Sequence, residues 1–378
     1  MYLNNIYIDG NHVEVSEEKY VNGATLRYDG TASAHVSSLG GRYDYTYDNH
    51  DRLTAAAYSS STRGENYSTE YRYNALGAPT SLKRKGRNTE FFGSIGGYGV
   101  VDDLTYSWDG AQLQSVTAQA NGSDYYGRTG FPLSATGGTA DFAFDAAGQL
   151  VLDSSRGIID LNYNRQGLPI QVTFEDGSRV IYTYSYSGEL RSMKAYNKTQ
   201  ITQTRDYCGD FIFVDNALSM VNFPGGYFDS DGKPNYRHTD WQGNVTIVTN
   251  SEGKIAQHTG YYPYGEPWSE PSGQPYLFGG KERLREGALN EYDFGARRYN
   301  SALALWTTPD PIVHGQHSPY TYCAANPIRY IDPNGMEFTE ESKQMVQAFV
   351  NLINSKWSLL NFEIYQLENS LRNEKFVS

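Results

Sequence analysis

A mainly β fold, built of antiparallel hairpin repeats and closing in a short α-helical tail, is what this sequence of 378 residues predicts. Three observations carry that prediction. Tyrosine and glycine stand at 33 and 38 residues, a pairing that favours short strands joined by tight turns. A loose unit of aromatic, then Asp, Asn or Ser, then small residues with glycine, then an aliphatic recurs from Tyr28 to about Leu190. Mean hydropathy is -0.61, and no apolar run approaches the length of a membrane helix.

The repeats come first in the chain. They include Tyr47-Asp48 to Leu53, Tyr73-Asn74 to Gly77, Trp108-Asp109-Gly110 to Leu113, Phe144-Asp145 to Leu150, Tyr163-Asn164 to Leu168, and Tyr186-Ser187-Gly188 to Leu190. The aromatics lie 19 to 36 residues apart, and the shorter intervals suit one hairpin per unit. In each unit the Asp or Asn bonds its own turn, glycine supplies positive φ, and the aromatics pack across strands. A lone hairpin is marginal in water, so the units must stack into one continuous sheet. The Gly-rich and Ser-rich stretches Gly93 to Gly99 and Asn121 to Thr139 read as loops between repeats.

Charge and cysteine usage exclude several classes. A net charge of -12 gives no electrostatic reason to expect nucleic acid. The one basic cluster, Lys83, Arg84, Lys85 and Arg87, reads as a solvated hairpin tip, because no aromatic interleaves it. Cys208 and Cys323 stand far apart without metal-ligand spacing and read as free buried thiols. The start, MYLNNIYIDG, has neither a basic nor an apolar leader region, so no signal peptide is expected in this chain. Asp229-Ser230-Asp231-Gly232 resembles half of a calcium loop but lacks the terminal Glu, which favours a hairpin turn.

Further along, Val245, Ile247 and Val248 read as a strand, Asn250 to Gly253 as a turn, and Lys254 to Tyr262 as the return strand. From Glu291 to Met336 the pattern becomes a tyrosine-rich strand, a turn at Asp310-Pro311, a loop, a second strand and a turn at Asp332-Pro333. The two carboxylates are 22 residues apart in similar contexts, so a fold can bring them face to face. Taken alone, each Asp-Pro is a turn former, and Asp332-Pro333-Asn334-Gly335 has the residues of a type I turn throughout. His314 and His317 suggest a metal site with Asp310, but no third ligand is evident and a solvated loop is favoured. Neither a metal nor a cofactor is expected.

After Met336, Thr339-Glu340-Glu341 reads as a helix start, followed by Met345, Val346, Phe349, Val350, Ile353 and Trp357 at helical spacing. This tail of 42 residues holds no His, Cys or Asp, which excludes a zinc-deaminase arrangement. Its four Lys/Arg against six Glu argue against binding anionic lipid.

Several blocks resemble the core that closes RHS/YD-repeat proteins, the β-shell polymorphic toxins and the C components of bacterial toxin complexes. Pro327, then four residues, then Asp332-Pro333-Asn334-Gly335-Met336 match the signature of Pro, four residues, Asp-Pro-x-Gly and an apolar residue. Gly295-Ala296-Arg297-Arg298-Tyr299 and Trp306-Thr307-Thr308-Pro309-Asp310-Pro311 match earlier blocks. His238, Asp240, Gly243, Tyr262, Tyr264, Gly265 and Glu266 match the block before those. The chain departs from the family at Ala304-Leu305, where Gly-Arg is common, at Asn300-Ser301, where Asp-Pro is common, and at Met336 itself.

The resemblance implies part of a curled YD-repeat shell. Its divisions would be a YD-repeat sheet region at 1–235, an RHS-associated core at 236–336 and a variable helical tail at 337–378. It also implies an aspartic-protease-like centre with Asp310 and Asp332 as the catalytic pair, Arg297 as the supporting cation, and the Met336–Glu337 bond as the self-cleavage site. The role would be packaging and delivery in competition between bacteria, secreted or at the cell surface within a larger system. Partners would be the remainder of the shell, a secretion apparatus and an immunity protein. A second reading is a non-catalytic surface module that binds glycans or a partner protein, and a third is an inactive remnant of a longer gene.

Overall fold

The computed structural model describes strands at 6–8, 11–13, 19–21, 24–26 and 32–36, and residues 41–60, 64–87, 97–120, 129–312 and 317–340. The chain divides into two compact units, Met1–Phe338 and Thr339–Ser378. The helix expected over the tail lies outside the described residues. Thr339 and Glu340, read from the sequence as its start, are extended instead.

From Lys19–Val21 to Ile255–His258 each strand pairs antiparallel with the next in sequence, so the sheet is one long meander. The turns repeat a single device. Asp48, Asn74, Asp145, Asn164, Asp229, Asp240 and Asn250 each accept, through Oδ1, the N–H groups two and four residues ahead. In most of these turns a glycine three residues on has positive φ, as at Gly77 (77°) and Gly167 (77°). A side chain with a Cβ meets its own backbone there, which is why the unit keeps glycine. Asp229 to Lys233 is such a turn, between Gly226–Asp229 and Pro234–Thr239.

The aromatic of the unit has a second task. Tyr73 Oη donates to the Leu53 carbonyl at 2.5 Å, Tyr163 Oη to Leu150 at 2.6 Å and Tyr184 Oη to Pro169 at 2.8 Å, while Trp108 Nε1 donates to Pro79 at 2.7 Å. Each bond runs from one unit to the strand that leaves the preceding turn. A phenol or indole at this position thus ties successive hairpins through the backbone, which phenylalanine cannot do.

Strands alternate between a buried and an exposed face, as Gly41–Tyr47 and Thr69–Tyr73 do. The basic cluster obeys this alternation and corrects the hairpin-tip reading. Lys83 to Arg87 lie within the strand Pro79–Arg87, and Arg84 points inward, only 1% exposed, with Nε 2.6 Å from Asp102 Oδ2. Cys208 is exposed, against the expectation of a buried thiol, and Cys323 is buried.

After His258 the chain leaves the sheet, so the return strand stops short of the expected Tyr262. The segment beyond it packs on the sheet's buried face. Leu53, Leu82, Leu104, Val116 and Phe142 share one core with Tyr264, Phe278, Tyr299, Trp306 and Tyr322. Regular structure in this segment is slight, chiefly a sheet of four short strands, Glu282–Leu284, Glu291–Asp293, Arg298–Asn300 and Leu305–Trp306. The second strand expected after Asp310 is reduced to Tyr330–Ile331, immediately before Asp332, and the described residues ahead of it hold turns and a 3-10 turn at Tyr322–Ala325.

Buried polar groups fasten the segment to the sheet. Arg84 Nη2 donates to the Ala302 carbonyl (2.7 Å), Arg156 Nη1 lies 2.6 Å from Glu291 Oε1, and Tyr320 Oη donates to the Gly148 carbonyl (2.6 Å). Each charged group is met by an opposite charge or a carbonyl, the condition under which burial of charge is tolerated.

Candidate functional site

The site is built at the turn between Glu291–Asp293 and Arg298–Asn300. Gly295 takes φ 94° there, and its N–H is held at 2.8 Å by Asp293 Oδ1, so the turn is tight. Two consecutive arginines come next and diverge. Arg298 faces Tyr182, Tyr184 and Asp293. Arg297 faces the other way, with its guanidinium carbon 4.0 Å from the centre of the Trp306 ring.

Arg297 gathers both aspartates. Its Nη1 lies 2.9 Å from Asp310 Oδ2 and its Nη2 3.2 Å from Asp332 Oδ2, while Nε donates to the Gly335 carbonyl at 2.5 Å. Burial draws the guanidinium below its ordinary value, and the two aspartates pull it back up. The second oxygen of each carboxylate serves its own turn. Asp310 Oδ1 accepts the Ile312 N–H (2.9 Å), and Asp332 Oδ1 accepts those of Asn334 (3.1 Å) and Gly335 (2.7 Å). The Asp332 turn is therefore closed by a carboxylate, and Asp332 is the more enclosed of the pair.

The two turns dock on each other directly. Ala296 donates its N–H to the Asn334 carbonyl at 3.1 Å, and a Cβ added to Gly335, whose φ is 74°, would sit 3.0 Å from the Arg297 nitrogen and from Phe294 Cβ. Asn334 Oδ1 in turn accepts the N–H groups of Met336 (3.0 Å) and Glu337 (3.3 Å), both exposed residues. The floor is aromatic: Phe294 meets Trp306 edge-on at 5.1 Å, and Tyr322 packs against both. Asp310, Asp332 and Arg297 thus meet at one point, with the 336–337 bond on the chain that leaves it.

Other candidates lie elsewhere. His314 falls outside the described residues, and His317 sits by the turn at Gly77. No group of three His, Cys, Asp or Glu side chains suited to a metal occurs among the described residues. Ala304 has φ 59° and a buried methyl, a left-handed backbone kept without glycine's freedom. The sequence pattern does not single out Lys281 or the ring floor. The lysine stands in a Gly-Gly-Lys-Glu string with no recognised chemistry, and the rings read simply as core.

No helix among the described residues is long and apolar enough to cross a membrane. No protein-family model matches the chain, and no curated protein matches it. Solved structures do. The chain is similar to TcdB2-TccC3 at 19% identity with a TM-score of 0.52, over 88% of this chain and 18% of that one. Similarity to TcdB2-TccC3-Cdc42 is at 19% identity and TM-score 0.52, over 83% and 17% of the two chains. For TcdB2-TccC3 without the hypervariable C-terminal region the identity is 18% and the TM-score 0.51, with the same coverage. The chain spans less than a fifth of those chains' length, and what it shares with them is the fold, an antiparallel β shell.

Proposed function

We propose that this chain is a section of an RHS-type delivery shell that cuts itself after Met336 and frees the residues from Glu337 onward. One observation carries the reading: a single buried guanidinium, Arg297, meets Asp310, Asp332 and the Gly335 carbonyl at once. In the reaction one carboxylate removes a proton from water as its oxygen adds to the Met336 carbonyl carbon. The other carboxyl, carrying a proton, donates it to the carbonyl oxygen; as the C–N bond breaks, the first carboxyl passes the proton it took from water to the departing Glu337 nitrogen, and a hydroxyl proton of the diol returns to the second carboxylate. Arg297 offsets the negative charge that gathers on the way.

The likeness to TcdB2-TccC3 supports a packaging role within a larger shell, and the residues after Met336 would be this chain's variable C-terminal region. A second reading has its own support. Two carboxylates spanning one guanidinium also describe an ion-pair clamp that closes the fold without chemistry.

Intact mass of the purified protein separates the two. Self-cleavage gives one piece ending at Met336 and one starting at Glu337, and both Asp310→Asn and Asp332→Asn leave the chain whole. A folded wild type of full mass withdraws the catalytic assignment and leaves the clamp.

A further inference from the structure

Resting on that proposed self-cleavage, we infer that Lys281 is a second positioning cation of the site, holding the turn that presents the 336–337 bond. Its Nζ donates to the Pro333 carbonyl at 2.6 Å, across 52 residues of chain. The backbone that launches it is fixed, since its N–H bonds the Phe278 carbonyl (2.9 Å) and its own carbonyl takes the Leu277 N–H (2.8 Å). Its Nζ lies 5.5 Å from the centre of the Phe294 ring. Phe294 touches Trp306, so Lys281 and Arg297 stand on adjoining rings of one floor.

The two cations divide the turn between them. Lys281 takes the carbonyl of Pro333, Ala296 the carbonyl of Asn334, and Arg297 the carbonyl of Gly335. Three successive carbonyls are thereby fixed immediately before Met336, whose carbonyl is the one to be attacked. Proline has no N–H, so the backbone of Pro333 can be anchored by a hydrogen bond only through its carbonyl. The Lys281 charge also faces Asp332 and Asp293, and burial pulls it below the usual lysine range against their attraction. An ammonium retained in such a place opposes the loss of charge balance as negative charge builds near Asp332.

A displacement of about 1 Å in a reacting bond costs on the order of 100-fold in rate, and that sets the scale expected here. Cleavage is followed in pulse-labelled cell-free translation of the full chain, comparing wild type with Lys281→Met, Lys281→Gln and Lys281→Arg, alongside their thermal midpoints. Lys281→Met, which keeps the stem on Phe294 but loses donor and charge, is expected to slow cleavage about 10- to 100-fold. Lys281→Gln, a donor without charge, falls between, and Lys281→Arg restores most of the rate, with midpoints close to wild type throughout. If Lys281→Met does not fold, the Gln and Arg variants carry the comparison.

Wild-type cleavage in Lys281→Met, or equal loss in the Met and Arg variants, overturns the inference while leaving Asp310 and Asp332 in place. A wild type that never cleaves overturns both the inference and the function beneath it.

Discussion

Replacing Arg297 by methionine tests the central geometry most directly. The substitution removes the cation that both Asp310 Oδ2 and Asp332 Oδ2 face, and the donor to the Gly335 carbonyl, while leaving an unbranched apolar stem over Trp306. Breaking a buried ion pair from one side costs about 3–5 kcal/mol, because the remaining charge stays buried without its partner. The lost cation–π contact adds about 1 kcal/mol, and the methionine stem and entry of water beside the less enclosed Asp310 return part of this. A net loss of about 3 kcal/mol results, equivalent to a fall of roughly 4 °C in thermal midpoint for a unit of this size.

The assay is urea unfolding of a double-mutant cycle. Arg297→Met is compared with Asp310→Asn plus Asp332→Asn, and with all three together. Neutralising the two carboxylates in the methionine background should recover at least about 1 kcal/mol, since it removes the stranded charges. An Arg297→Met protein within about 0.5 kcal/mol of wild type, or strictly additive changes, would refute the claim that this guanidinium is what holds the pair. Intact mass from the same preparations reports whether cleavage disappears with it.

Two further perturbations probe the scaffold. Tyr163→Phe keeps the ring but deletes the donor to the Leu150 carbonyl, and should lower stability by about 1 kcal/mol in urea without altering intact mass. An unchanged midpoint would mean that the inter-unit hydroxyl bond contributes nothing. Gly335→Ala forces a Cβ onto a left-handed backbone and against the Arg297 nitrogen and Phe294 Cβ, so a loss of about 2 kcal/mol is expected, with slowed cleavage in the pulse-labelled assay. Wild-type behaviour in both readouts would show that the docking of the two turns is not required.

The alternation of tyrosine, Asp or Asn, and glycine was enough to specify hairpins, because the interactions that close each turn lie within five residues of one another. Asn74 meets the N–H groups of Leu76 and Ala78, and Gly77, at φ 77°, returns its N–H to the Asn74 carbonyl. Such chemistry is local, so the strands and the one-sheet architecture could be read along the chain. The shell-like curl was legible only as a family resemblance, and the fold shared with TcdB2-TccC3 agrees with it.

Position within the fold decided the rest. Four basic residues in a row of five look solvated, yet the two-residue period of a strand sends Arg84 inward to Asp102 while Lys83 meets Asp103 outside. That outcome depends on register against a strand 18 residues away. Likewise Arg297 and Arg298 carry the same chemistry, the family resemblance alone named the first, and the Gly295 turn is what sends it to the aspartates and the second to Tyr184. The sequence alone thus determined the repeats, their turns and the identity of two matched Asp-Pro motifs. The resemblance named Arg297 as their supporting cation, but tertiary structure alone decided that its one guanidinium spans both and that Lys281 stands beside them, because those contacts unite segments whose separation along the chain carries no local signal.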